Sequence, residues 1–433
     1  MTFALVSLSI LVILLSFGIP LPFCFGAALM YMNLVADVSM KGMMMWGLQQ
    51  ILSPVLLCAP LFIFAGGLMS ESGIARSLLD YVDSFVGRIR GGLGVVAAVS
   101  CAIIGAISGS GLTGLAATGP ILIPRMAERG YPRGYAAALV TDSSILGLLI
   151  PPSVVMVIYG WVTETSILAC FLSTLVPGLM ITFLFSSINV FMARKFPLVM
   201  DPELPPAERR ADKRKKFRAA LPALLMPVII LGGIYGGIMT PTEAAAVAVV
   251  YSLPLGFWVY KGLTWSNFFR VTKDSASAVG TILLMIFCSL MLSQTYVMLQ
   301  VPQEIVRTLF GVTESKVLLL ILINFMLFFL GMIVNDITGV ILVAPLLLPL
   351  VVAIGVHPVQ FAAIIGVNLA MGGVTPPYAS ILYLGMRIGK VEFVDILKPA
   401  MTFILLGYVP VVFLVSFFPE LSLFLPRVMG LLR

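Results

Sequence analysis

Charge and histidine are what this chain has least of. Only 10% of its 433 residues are Asp, Glu, Lys or Arg, against roughly 25% in an average soluble domain. A polar shell cannot be assembled from so few, so a water-soluble fold is excluded. The single histidine, His357, precedes Pro358 in an expected loop, which argues against a proton relay. Five cysteines, Cys24, Cys58, Cys101, Cys170 and Cys288, are scattered through apolar runs with no CxxC spacing and no histidine partner. That excludes a disulfide framework and a thiolate metal centre. The 26 Lys and Arg exceed the 19 Asp and Glu, giving +7, yet no basic stripe is interleaved with aromatics, so nucleic-acid binding is excluded too. The excess is the ordinary bias of cytoplasmic loops in membrane proteins.

What the chain has in abundance is apolar residues: 60% of the sequence, with a mean hydropathy of +1.11. At about 20 residues per crossing helix, this length supports on the order of a dozen membrane segments. The expected fold is an all-α, polytopic membrane protein. An apolar run begins directly after Met1 without a basic n-region or a small-residue cleavage site, so it reads as a retained first helix rather than a signal peptide.

Two apolar runs, about residues 92–124 and 317–350, are too long for one untilted helix and carry Gly, Ser, Thr or Asp at their centres. Polar, irregular backbone at membrane depth is tolerated only where it is enclosed or lines an aqueous cavity, so both are expected re-entrant hairpins. Two others, about residues 135–160 and 359–386, are broken by Pro151-Pro152 and Pro376-Pro377. Between the halves lies a basic stretch, residues 194–218, expected to be a cytoplasmic linker. It divides the chain into repeats at residues 1–193 and 219–433. Walking outward from it, Arg88, Arg90, Arg125, Arg129 and Arg133 return to the cytoplasmic side. Lys261, Arg270, Lys273, Arg387, Lys390 and Lys398 do the same in the second half.

The halves are also related residue by residue. An offset of 225 aligns Thr113-Gly114 with Thr338-Gly339, Pro120 with Pro345, Pro124 with Pro349, Gly147 with Gly372, and Pro151-Pro152 with Pro376-Pro377. Eleven identities fall in the 49 positions from Gly105 to Ser153 without a gap, where chance gives roughly three or four at average composition. Each half makes three crossings, a hairpin of no net crossing, a broken helix and one more helix. Five net passes is an odd number, so the halves are inserted upside down relative to each other. Inverted repeats interrupted at matching places point to a secondary transporter with its site at the midplane.

The first hairpin tip, Gly105 to Gly114, offers hydroxyls from Ser108, Ser110 and Thr113 among glycines that allow a sharp turn. Its counterpart, Gly331 to Gly339, puts Asn335 and Asp336 inside an apolar run. A carboxylate at membrane depth is costly unless it meets a cation or lines water. Asp336 is therefore the foremost candidate, with helix capping as the plainer role. The Pro pairs remove N–H donors and free carbonyls around Gly147 to Ile150 and Gly372 to Thr375, hard oxygens suited to sodium. The half-helix after Pro152 aims its positive end and Ser153 at an anion. Glu243 reads as a capping residue after Thr240. Asp142 is either a proton or sodium carboxylate or the partner of Arg125 or Arg133.

At these motifs the chain resembles the large membrane subunit of tripartite ATP-independent periplasmic transporters. The matching stretches are SGSGLTGLAATGPILIPRMAERGYPRGYAAALV (Ser108 to Val140), GLLIPPSVVMVIYG (Gly147 to Gly160), GGIYGGIMTPTEAAAVAVVYSL (Gly232 to Leu253), the Asp336 hairpin with APLLLPLV, and VNLAMGGVTPP (Val367 to Pro377). The resemblance implies an elevator-type fold of the ion-transporter superfamily in the bacterial inner membrane. It implies sodium-driven uptake of an organic acid such as sialic acid or a C4-dicarboxylate. It also implies two partners, a small four-helix membrane subunit and a soluble periplasmic binding protein. Two or more sodium ions are implied, at Ser108, Ser110, Gly147, Ile150 and Pro152 and at Gly331, Asp336, Gly372, Thr375 and Tyr378. Substrate would lie near Ser108, Ser110, Ser153, Asn335 and Asp336. The rival readings are a stand-alone sodium–carboxylate symporter without a binding protein, and an intramembrane enzyme using Asp142 and Asp336 as paired acids.

Overall fold

The computed structural model describes residues 2–36, 38–87, 89–199, 205–376 and 379–432. In hydrocarbon a backbone N–H or C=O has no water to bond, and a helix closes its own bonds within one segment. Every regular element among the described residues is accordingly helical. The first half comprises α1 (Thr2–Ser16), α2 (Leu21–Ala36), α3 (Met40–Ile51), α4 (Cys58–Ser72), α5 (Ile74–Val86), α6 (Gly92–Ser108), α7 (Gly111–Glu128), α8 (Arg133–Ser144), α9 (Val154–Val162) and α10 (Ile167–Met192). The second comprises α11 (Pro206–Tyr235), α12 (Pro241–Pro254), α13 (Trp265–Met298), α14 (Val301–Val312), α15 (Lys316–Ile333), α16 (Asp336–Ala353), α17 (Pro358–Val374), α18 (Ser380–Gly389), α19 (Phe393–Phe403), α20 (Val409–Phe417) and α21 (Glu420–Val428). Among the described residues, eight helical stretches are long and apolar enough to cross a membrane.

The internal repeat reappears as matched elements. Shifted by 225 residues, the bounds of α7 fall on those of α16, and α5, α6, α8, α9 and α10 fall within a few residues of α14, α15, α17, α18 and the α19–α20 pair. Within this stretch the correspondence changes at α3 and α4, which pair with the single helix α13. Pro54 lacks an N–H and disfavours helical backbone at Ser53, so the first half breaks where the second continues.

Contacts between the broken helices set their relative direction. At one end of the molecule a cavity of about 800 Å³ is walled by Arg133 and Gly134, at the start of α8, and by Lys390, just past the end of α18. A Cβ placed on Gly389 would meet that of Ala137 at 3.0 Å. At the opposite end, Tyr159 in α9 donates to the Pro358 carbonyl at the start of α17, at 2.7 Å. The two broken helices thus lie side by side and antiparallel, as inverted repeats require. The first hairpin's mouth meets the basic linker: Arg90 donates to the carbonyls of Arg194 (3.2 Å) and Phe196 (3.0 Å), and the Val199 N–H donates to the Arg129 carbonyl at 3.0 Å. Arg88 lies outside the described residues.

Three features depart from the sequence expectation. The expected linker and the first helix of the second half are not separate, because the basic residues from Arg209 to Arg218 belong to α11, whose apolar half continues the same helix. Helices α5 and α14 were missed, since each is amphipathic and falls between apolar runs. In α5, Ile74, Leu78, Leu79 and Val82 are buried while Arg76 and Asp80 lie on the other side. Asp142 also differs: Arg125 pairs instead with Asp83 (2.7 Å) and Asp80 (3.6 Å). Arg133 is exposed nine residues back along α8, about 13 Å at 1.5 Å per residue. Asp142 is wholly buried, and neither carboxylate oxygen has a hydrogen-bond partner.

The hairpins cross the broken helices at glycines. Gly105 in α6 lies against Gly147 in the 3-10 turn after α8, and a Cβ on Gly147 would come within 2.8 Å of the Gly105 Cα. Gly331 in α15 and Gly372 in α17 repeat the arrangement, a Cβ on Gly372 falling 2.6 Å from the Gly331 Cα. Small residues let backbones approach this closely in lipid. Beside the second crossing, Asn368 donates to Asn324 at 2.7 Å and Asn324 donates to Ser416 at 2.9 Å, tying α17, α15 and α20 together.

Gly372→Ala is expected to destabilise the purified protein by about 1–3 kcal/mol through overpacking, read as a lowered thermal midpoint in detergent. Gly26→Ala, where nothing lies within 4 Å of the new Cβ, is expected to be neutral or mildly stabilising. Asp142→Asn removes a chargeable group that has no ion-pair partner, so its midpoint is expected to match or exceed that of the parent. A loss beyond about 2 kcal/mol would reveal a bond that the geometry does not contain.

Candidate functional site

Both hairpin tips open onto one cavity of about 350 Å³. From the first tip come Gly109, Ser110 and Thr113, and from the second Gly331, Asn335 and Asp336. The interrupted helices contribute Ile145, Leu148 and Val154 from one repeat and Gly373, Ala379 and Ser380 from the other. Leu15 of α1, Leu21 of α2, Ile63 of α4 and Ala278 and Ile282 of α13 close the remaining side. The cavity therefore lies between a core of hairpins and broken helices and a wall of scaffold helices.

Local sequence explains each tip. Gly109 ends α6 in the left-handed region at φ 62°, which a residue without Cβ adopts freely, and Ser110 then starts α7 from extended backbone. At the second tip Val334 is extended and Asn335 caps α16, its side chain accepting the Ile337 N–H at 3.1 Å. The Asp336 carboxylate accepts the same N–H at 3.0 Å. Capping and cavity lining thus coincide in Asp336, which is only partly buried and contributes to the cavity wall.

The expected site residues are distributed unevenly around this cavity. Ser110, Gly331, Asn335 and Asp336 line it. Ser108 is buried behind the first tip, its hydroxyl donating to the Ser110 carbonyl at 3.2 Å. Gly147 and Gly372 sit at the crossings behind the tips, and Ile150 packs against Gly178 of α10. Pro152 turns its carbonyl toward Gly109, 3.0 Å from where a Cβ on that glycine would sit. Thr375 is buried, donating to the Met371 carbonyl at 2.6 Å. Tyr378 lies outside the described residues.

Ser153, expected near substrate, lies behind this cavity wall. It is wholly buried, donates to the Leu148 carbonyl at 2.6 Å and accepts the Met156 N–H at 3.5 Å, and it is absent from the cavity wall. A carbonyl released by the Pro pair is therefore bonded within the chain, by the residue that caps α9. Ser380 in the wall was missed, since its repeat counterpart is the apolar Val155 and no motif marks it. Other polar residues take structural parts: Thr240 and Glu243 form a capping box, and His357 Nδ1 accepts the Val359 N–H at 3.1 Å. Asp142, sealed in α8, does not share the Asp336 cavity, which removes the paired-acid geometry of an intramembrane enzyme.

Comparisons with known proteins agree with this architecture. The family model described as the DctM component of tripartite ATP-independent periplasmic transporters matches residues 8–421. The sialic acid TRAP transporter large permease SiaM of Vibrio cholerae is 34% identical over 86% of this chain and 86% of that protein. The ectoine/5-hydroxyectoine large permease UehC of Ruegeria pomeroyi is 33% identical over 96% of each. The C4-dicarboxylate large permease DctM of Pseudomonas aeruginosa is 33% identical over 87% of each. In fold alone, the crystal structure of the Alcanivorax borkumensis YdaH transporter matches with a TM-score of 0.58 at 17% identity, covering 84% of both chains. With its hairpins, inverted repeats and central cavity, this multi-pass membrane protein belongs to the DctM family of TRAP transporter large permeases and is a transporter, not an enzyme.

Proposed function

We propose that this chain carries an organic acid across the bacterial inner membrane together with two or more sodium ions. In this reading the hairpins and broken helices move as one body against the scaffold formed by α1, α2, α4 and α13. The observation that carries it is the convergence of two antiparallel hairpin tips, with Asp336 and hydroxyls of Ser110 and Thr113, on one enclosed cavity. Sialic acid and C4-dicarboxylates, named for two of the relatives, are the acids considered.

Sodium is cargo in this scheme, and the oxygens suited to it lie at the tips and crossings. Ser108, Ser110, Gly147, Ile150 and Pro152 would serve one ion, and Gly331, Asp336, Gly372, Thr375 and Tyr378 another. Coupling follows from charge: an anion alone in an apolar cavity is costly, and sodium beside it offsets that cost. Empty or half-loaded states then cross poorly. The partners in this reading are a small four-helix membrane subunit and a periplasmic solute-binding protein that delivers the acid. Transport by proteoliposomes containing this chain alone would instead favour a stand-alone symporter.

Asp336→Ala is expected to weaken ²²Na⁺ binding to the purified protein at least tenfold, about 1.4 kcal/mol, while the variant stays membrane-inserted and monodisperse in detergent. Unchanged sodium affinity in that variant rejects the ion-site assignment.

A further inference from the structure

We propose that the cargo bears a single carboxylate on an apolar body, and that dicarboxylates are poor ligands of this chain. The inference rests on the sodium-coupled reading above and narrows its substrate class. Among the described residues lining the cavity, Asp336 is the one ionisable side chain, and no Lys, Arg or His is present. The remaining polar side chains are the hydroxyls of Ser110, Thr113 and Ser380 and the amide of Asn335. Lys273 of α13, near the cavity in sequence, is exposed and contributes nothing to the wall.

Charge balance then limits the cargo. With two sodium ions, the fewest that the proposed function allows, the Asp336 carboxylate leaves one positive charge in the occupied site, which one carboxylate neutralises. A second carboxylate would be left uncompensated in a low-dielectric space and would also face Asp336, so both desolvation and like-charge repulsion oppose it. The wall is polarised as well. At the first tip no side chain caps α7, so its first-turn N–H groups and the hydroxyls of Ser110 and Thr113 can receive an anion. At the second tip, Asn335 and Asp336 already occupy the corresponding α16 N–H. A carboxylate is therefore expected at the α7 side. Leu112, Ile145, Leu148, Val155, Met332 and Ile381 are left to cover an apolar remainder.

The test uses the full chain purified in detergent and matched acids of equal length, hexanoate against adipate and butanoate against succinate. Thermal midpoints are measured in sodium chloride and in potassium chloride. The expected result is stabilisation by the monoacids in sodium only, with half-saturation at a concentration at least tenfold below that of the paired diacid. Sodium-dependent stabilisation by the diacids equal to or stronger than that by the monoacids overturns the single-carboxylate inference and leaves sodium coupling standing. Absence of any sodium-dependent shift from either class overturns the sodium–carboxylate reading, and this inference falls with it.

Discussion

The structure depends on one constraint: a helix interrupted at membrane depth exposes backbone groups that lipid cannot satisfy. This chain interrupts its helices repeatedly, at Gly109, at Val334, and at the Pro151 and Pro376 breaks. Close backbone crossings and local bonds cover the interrupted segments. Gly105 closes on Gly147 and Gly331 closes on Gly372, while Ser153 bonds the Leu148 carbonyl. The core therefore holds each hairpin against the broken helix of its own repeat. The space remaining between the tips is the cavity.

The second constraint is charge. Among the described residues, Asp336 and Asp142 lie deep in the fold in opposite circumstances. Asp336 borders open space and accepts the Ile337 N–H at the start of α16, whereas Asp142 is sealed within α8 with no donor at either oxygen. Only the first borders a cavity. Near the mouth of the first hairpin, Arg90 bonds the linker and Arg125 pairs with Asp83. None of the described residues that line the cavity is cationic.

Much of this was legible in the sequence because proline and glycine act locally. The Pro pairs break helices by their own covalent geometry, and the offset of 225 residues related the two hairpins, whose second helices α7 and α16 share their bounds under that shift in the structure. Odd crossing parity required inversion, and the antiparallel contact of α8–α9 with α17–α18 has that geometry. Hydropathy overlooked α5 and α14, because amphipathic helices average out between apolar runs. Pairing was the weakest inference. A carboxylate and an arginine close in sequence suggest an ion pair, yet Arg125 found Asp83 on a different helix.

By itself, the sequence determined that the chain must live in lipid, that it is a duplicated transporter turned upside down on itself, and where its helices must break. These follow from composition, periodicity and the backbone limits of single residues. Tertiary structure decided which freed groups remain available. Ser153 spends its hydroxyl on Leu148, whereas Ser380, unmarked by any motif, reaches the cavity wall. Solvent access and hydrogen-bond partners belong to residues distant in the chain, and only packing brings those residues together.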